Sequence, residues 1–351
     1  MRVITLPDSL GSRVESGLSA LGYSLSRPGP LSEAVQKLSS YYIEKPDAPT
    51  PWREKWTRAA YVAYFFPLNY ARVAAVIYEG QRLGFFDTLT RLVDFGSGLG
   101  TVSLALHDKC AVSFDDQIAI EKATEPVSLY GSLKDKSAPS PNWVKEVPRG
   151  LPQKGKGCLT SFSYSLTELP EIPNWALASE ALMLIEPATH QDARRLHSMK
   201  EMLIANGFHI WAPCTHAAPC PLVTQSARDW CHDRVVWEMP EWFQELSDHL
   251  PMRNPTLTVS YLLARKSPPP SALSGLARLT GDLKREKGAA RQMICRGANR
   301  EFLSWQKRDG EPPEWPKGEL VQLASGVAMK GGELRPTKDQ VRLVPDQKIA
   351  P

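Results

Sequence analysis

The segment Leu92-Val93-Asp94-Phe95-Gly96-Ser97-Gly98-Leu99-Gly100-Thr101 constrains what this chain can fold into more than any other. A short apolar run ends in an acid, three glycines follow at alternate positions, and an amphipathic stretch, Thr101 to Asp108, starts at once. Here a strand gives way to a helix. Glycines at such a junction let the backbone approach a ligand closely, and the N–H groups of the following helix point at it. The order G-x-G-x-G is not the G-x-G-x-x-G of dinucleotide-binding folds. An ordinary tight turn also uses glycine, so the meaning of the segment rests on its surroundings.

From Leu89 onward, short apolar runs alternate with amphipathic stretches. Ile118-Ala119-Ile120 and a helix-like Thr124 to Leu133 come first. Leu182 to Ile185, a helix-like Gln191 to Ala205 closed by Asn206-Gly207, and Phe208 to Ala212 repeat the pattern, and Thr256 to Ala264 is a last strand. This alternation is the signature of βαβ units and a parallel sheet. Ahead of it, Leu31 to Tyr42 and Tyr61 to Leu83 carry apolar residues at spacings of three and four, broken at Pro46, Pro49 and Pro51, which predicts an N-terminal helical cap. Ser-Pro-Pro-Pro at Ser267 to Pro270 reads as a linker. The expected regions are therefore a helical part over 1–86, an α/β domain with a cysteine-rich insertion over 87–266, and a basic extension over 267–351.

With Asp94 ahead of the glycines and Glu121 directly after the next strand, the α/β domain resembles the class I S-adenosylmethionine methyltransferases, a Rossmann-like fold. That resemblance implies that Asp94, Gly96, Gly98, Gly100 and Glu121 bind the cofactor, Glu121 accepting hydrogen bonds from the ribose hydroxyls as the ribose-reading acid of dinucleotide folds does. Ser161 to Leu169 lies where that fold lines the methyl-transfer pocket. It lacks the Asn/Asp-Pro-Pro-Tyr/Phe signature of many amine methylators, and a buried strand leading into a helix start accounts for it equally well. Tyr164 and Glu168 are candidates there, and the catalytic residues stay unassigned.

Cys214, Cys220 and Cys231 crowd a stretch of prolines and polar residues, and Cys295 offers a fourth thiol. Four thiolates suit a tetrahedral zinc or a [4Fe–4S] cluster, and spacing alone does not choose between them. His216 and His232 can replace a cysteine, although a histidine beside a metal loop more often donates to a ligand. Pro213-Cys214 and Pro219-Cys220 also resemble the nucleophile motif of RNA cytosine-5 methyltransferases, but a nucleophile needs one activated thiol and this segment supplies three. Cys110 and Cys158 stand alone and read as core residues or chance. Six cysteines in 351 residues are too few for a disulfide scaffold.

No run approaches the roughly 18 apolar residues of a membrane helix, and the first 22 residues lack an apolar signal-peptide core, so the expected location is the cytoplasm and no membrane partner is expected. The net charge of +4 is uneven: from Arg265 onward there are 17 Lys and Arg against 10 Asp and Glu, +7, which leaves −3 for the rest. The densest stretch, Arg278 to Arg308, suits phosphate contact or is simply a solvated basic face.

Taken in order, Tyr61-Val62-Ala63-Tyr64 with Pro67, Asp94 to Gly100, Tyr164 to Leu169, Leu184-Ile185-Glu186-Pro187, and Ala212 to Pro221 with Asp229 to His232 resemble the methyltransferase-like small-ribosomal-subunit assembly factors of the Rsm-twenty-two type, mitochondrial and bacterial. The resemblance covers about Tyr61 to Cys295. It implies binding of S-adenosylmethionine, a [4Fe–4S] cluster on Cys214, Cys220, Cys231 and Cys295 (zinc being the alternative), association with the small subunit and its ribosomal RNA, and a mitochondrial-matrix location in a eukaryote. Thr215 stands where that family often has proline, Asp233 where it often has an aromatic, and the gap before Cys231 is longer. A ribosomal RNA methyltransferase and a zinc-stabilised methyltransferase with another substrate are the alternatives to a non-catalytic assembly factor.

Overall fold

The computed structural model describes residues 3–45, 48–151, 157–346 and 349. The break expected at Pro46 lies outside them. Nine strands form one sheet: β1 (Val3–Thr5), β2 (Arg91–Phe95), β3 (Asp116–Ile120), β4 (Asn142–Val144), β5 (Cys158–Ser163), β6 (Ala181–Glu186), β7 (His209–Ala212), β8 (Asp233–Glu238) and β9 (Thr256–Arg265). Their order is β1-β8-β9-β6-β5-β2-β3-β4, with β7 also on β9. β4, β3, β2, β5 and β6 run parallel, and β9 lies antiparallel between β6 and β8. This is the Rossmann-like class I methyltransferase architecture, with the strand order reversing beside β2, where open α/β sheets receive ligands at their carboxyl ends.

The helices are α1 (Leu10–Ser19), α2 (Pro28–Glu44), α3 (Lys55–Ala60), α4 (Phe66–Leu83), α5 (Thr101–Lys109), α6 (Thr124–Val127), α7 (Tyr130–Leu133), α8 (His190–Ser198), α9 (Lys200–Ala205), α10 (Pro221–Thr224) and α11 (Glu241–Asp248). The expected helix over Thr124 to Leu133 is two short turns, and Gln191 to Ala205 is α8 and α9 meeting at Met199. Between α3 and α4 a π-helical turn spans Tyr61–Phe65. Together they form one helical run, Lys55–Leu83, long and apolar enough to cross a membrane, contrary to the expectation from composition. Most of its apolar window is buried inside the molecule, as for a core helix. Leu68, Val73, Val76 and Ile77 are among its buried residues, each worth about 1.5–3 kcal/mol when removed from water. The N-terminal part is also more than a helical cap, because β1 pairs with β8 and extends the sheet.

The C-terminal region is a second sheet: β10 (Leu276–Leu279), β11 (Lys284–Arg285), β12 (Ala289–Cys295), β13 (Glu301–Gln306), β14 (Leu320–Leu323), β15 (Ala328–Lys330), β16 (Glu333–Arg335) and β17 (Val341–Leu343). Ala277, Leu279, Ile294, Leu303, Trp305 and Val321 give it a core of its own. The basic extension is thus a folded β domain.

Candidate cofactor and cysteine sites

Gly96, Gly98 and Gly100 all adopt left-handed backbone, φ +66°, +52° and +75°. A Cβ at Gly96 would collide with Ser165, and one at Gly100 would lie 2.6 Å from the Tyr130 ring, whereas the space over Gly98 is open. Gly100 then starts α5. Glu121, one residue past β3, turns back onto this loop: its Oε2 accepts from the Gly98 N–H at 2.9 Å and its Oε1 from Ala123 N–H at 2.9 Å. Asp94 closes off the inner side. It is 2% exposed, one oxygen accepts from the Ser161 hydroxyl, and the other has no partner among the described residues. Burial pushes its carboxyl up to about 7, with Glu121 adding to the effect and the Ser161 hydroxyl opposing it. The five residues expected at a cofactor therefore converge on one strand-end turn.

Beside this turn stand Tyr164, a candidate from the sequence whose backbone strain no pattern showed, and Glu186, which the sequence offered only within the Leu184–Pro187 motif. Tyr164 follows β5 with φ +59°, costly for a residue with a Cβ, and its N–H donates to Ile185 O at 2.8 Å. Glu186, at the end of β6, accepts from Leu166 N–H at 2.8 Å while its second oxygen lacks a partner among the described residues; burial pushes it up to about 8. The π-turn brings Tyr61 to the same end, where burial raises its phenol, with Tyr164 and Glu121 contributing. Burial and then Glu121 also raise Glu168.

Cys214, Cys220, Cys231 and Cys295 line one small pocket with Pro213, His216 and Leu222, although Cys295 arrives from β12 of the second domain. All four are buried. Burial first and the neighbouring thiols second raise Cys220 and Cys231, and push Cys295 up to about 12. Among the described residues, no group of three or more His, Cys, Asp or Glu is arranged to hold a single metal ion. His216 Nε2 lies 3.2 Å from the Cys295 sulfur. His232 instead stacks on Trp230 and meets the Lys317 ammonium at 3.1 Å. Of the lone cysteines, Cys158 is buried in β5 and Cys110 half-buried after α5.

Around this pocket the chain is tied by cations. Arg194 donates to the carbonyls of Leu222, Val223, Ser226 and Asp229, and Lys200 to those of His216 and Ala218. Arg278, paired across the ladder with Cys295, bonds Glu79 of α4 at 2.6 Å, Gly318 O at 2.6 Å and the Pro213 carbonyl. The basic stretch is less free than its composition implies: Arg285 pairs with Glu311 and Glu314, Arg291 with Glu333, Arg296 with Glu301 and Arg300 with Asp229.

A family model described as mitochondrial small ribosomal subunit Rsm22 matches residues 55–296. The human mitochondrial ribosome assembly protein METTL17 is 24% identical over 276 residues, 64% of this chain and 60% of that protein. The chain thus spans about 60% of the length of that relative. Similar solved structures include a putative RNA methyltransferase of Pyrococcus horikoshii, 14% identical, covering 68% of this chain and 96% of that one with a TM-score of 0.33. A precorrin-6y C5,15-methyltransferase of Geobacter metallireducens is 17% identical, covering 56% and 89%, with a TM-score of 0.35.

Proposed function

The chain belongs to the mitochondrial small ribosomal subunit Rsm22 family, and from that premise we propose that it is a small-subunit assembly factor that binds S-adenosylmethionine at the glycine turn and a [4Fe–4S] cluster at its four cysteines. One observation carries the cofactor reading: three left-handed glycines, open space over Gly98 and the acids Asp94 and Glu121 coincide where the strand order reverses. The Gly96–Gly100 backbone and Glu121 would hold the nucleoside part, and Asp94 favours a cationic ligand once ionised. The cofactor, when bound, supplies a methyl group on a sulfonium. METTL17, a ribosome assembly protein by name, supports the assembly role. The partners are then the small subunit and its ribosomal RNA, in the matrix of a mitochondrion or the cytoplasm of a bacterium.

At the cysteine pocket, four buried thiols with no acid in the lining suit a soft, sulfur-ligated resident. A [4Fe–4S] cluster takes four such sulfurs as ligands, and zinc is the alternative with the same donors. Cys214, Cys220, Cys231 and Cys295 would hold it, with His216 beside the Cys295 sulfur.

The second reading, a catalytic RNA methyltransferase, is favoured by one feature, the left-handed Tyr164 at the end of β5 next to the cofactor turn. Calorimetry tests the cofactor. Gly98→Val meets no neighbour at its Cβ but strains the left-handed turn and fills the open space, so measurable S-adenosylmethionine affinity in the wild type should fall below detection in a variant that circular dichroism shows to be folded. Equal affinity in both proteins, or none in the wild type, sinks the assignment. Methyl transfer from labelled cofactor to small-subunit RNA, lost in Tyr164→Ala, would favour the catalytic reading.

A further inference from the structure

Buried arginines elsewhere in the molecule have carboxylate partners: Arg13 with Asp108, Arg82 with Glu79, Arg265 with Glu180, and Arg278 with Glu79 and Asp233. The cations at the cysteine loop differ. Lys200, the first residue of α9, is 1% exposed, and its ammonium donates to His216 O at 2.9 Å and Ala218 O at 2.5 Å, both between Cys214 and Cys220. Arg194, half-buried on α8, donates to four carbonyls between Cys220 and Cys231, at 2.5 to 2.9 Å. Among the described residues neither forms an ion pair with Asp or Glu.

A buried ammonium satisfied only by carbonyl dipoles still lacks an opposite charge, and burying it that way is costly. The anion available nearby is the cysteine set itself, once its thiols are ionised by a resident. Four thiolates on a [4Fe–4S] core or on zinc both leave a net negative group.

We propose that Lys200 is a positioning residue that supplies the compensating charge for the anionic resident of the cysteine pocket while fixing the 216–218 backbone, and that Arg194 fixes 222–229 in the same way. The inference rests on the metal reading above and adds a role that the ligand set does not contain. Its physical consequence is directional. Adding an electron to the resident makes it more negative, so a nearby cation stabilises the reduced form and holds the potential up.

The test uses the whole chain, loaded anaerobically with iron and sulfide, as wild type, Lys200→Met and Lys200→Arg. Methionine keeps the length without the charge, and arginine restores the charge. Iron and sulfide per chain and the midpoint potential from an electron-paramagnetic-resonance titration are read together. Lys200→Met should move the reduction equilibrium toward the oxidised form about tenfold, or lose the cluster outright, while Lys200→Arg stays near wild type. Wild-type iron content and potential in the methionine variant overturn the proposal, as does equal loss of iron from both variants, which would make shape and not charge the cause. A wild type that takes no iron but one zinc sinks the cluster reading separately. The variants are then compared by zinc competition with a chromophoric chelator, weaker zinc in Lys200→Met alone being expected and equal affinity overturning it. A wild type that takes neither metal removes both.

Discussion

Glu186 ends β6 and Asp94 lies one residue before the end of β2, in parallel strands of the same sheet, each buried and each with one oxygen lacking a partner among the described residues. Their carboxyls are held well above the ordinary range by burial, Glu186 from 4.5 to about 8 and Asp94 from 3.8 to about 7. The folded state therefore keeps protons that the unfolded chain has already lost. Stability falls as pH rises from about 4.5 through about 8, and the full penalty is present above that. Glu186→Gln cannot ionise, so between about pH 5 and pH 9 its stability relative to wild type should improve, on the order of 2–4 kcal/mol. Urea unfolding at the two pH values checks this, and parallel behaviour of the two proteins would contradict it. For Asp94 the same ionisation has a ligand consequence: affinity for the cationic S-adenosylmethionine should strengthen as pH rises through about 7, with the neutral S-adenosylhomocysteine as control.

The α5 start shows how an element depends on one position. Gly100 is left-handed, and a Cβ there meets the Tyr130 ring at 2.6 Å and Trp143 at 3.4 Å. Gly100→Ala combines backbone strain with displacement of α7, and a loss of about 1–3 kcal/mol is expected, read by denaturant unfolding together with the near-ultraviolet signal of Trp143. A wild-type midpoint would show that α7 yields freely. Some elements were legible because their period is regular: β2, α5, β3, β6 and β9 fall within a few residues of their apolar runs. The π-turn was not, because one extra residue in a turn at Tyr61–Phe65 hardly disturbs a helical spacing. Nor were β10 to β17, short strands among prolines and charges whose alternation is too brief to separate from a solvated tail.

Across the whole molecule, Arg278 locks the two domains. It is 3% exposed and joins β10 to Glu79 of α4, Asp233 of β8 and the Pro213 carbonyl. Arg278→Met takes from Glu79 its closest cation, so a loss of about 3–5 kcal/mol and early proteolysis between 267 and 275 are expected; unchanged unfolding and digestion would refute the lock. The same domain carries the charge excess, yet Arg285 and Arg291 already bond acids. Lys284→Gln with Lys287→Gln should therefore flatten the logarithmic salt slope of ribosomal-RNA binding by about one unit per lost contact, and Arg285→Gln with Arg291→Gln by less; an equal slope in all forms would make the stretch a solvated face. By itself the sequence determined the α/β core, the glycine turn and the candidate ligands, because periodicity, glycine's freedom at positive φ and the softness of sulfur are local properties of named residues. Only the tertiary structure decided that Cys295 shares a pocket with Cys214 from another domain, that Lys200 and Arg194 hold the cysteine loop with no acid partner among the described residues, and that Arg285, Arg291, Arg296 and Arg300 are already paired with acids. Those depend on which distant groups share a low-dielectric interior, and no spacing along the chain records that.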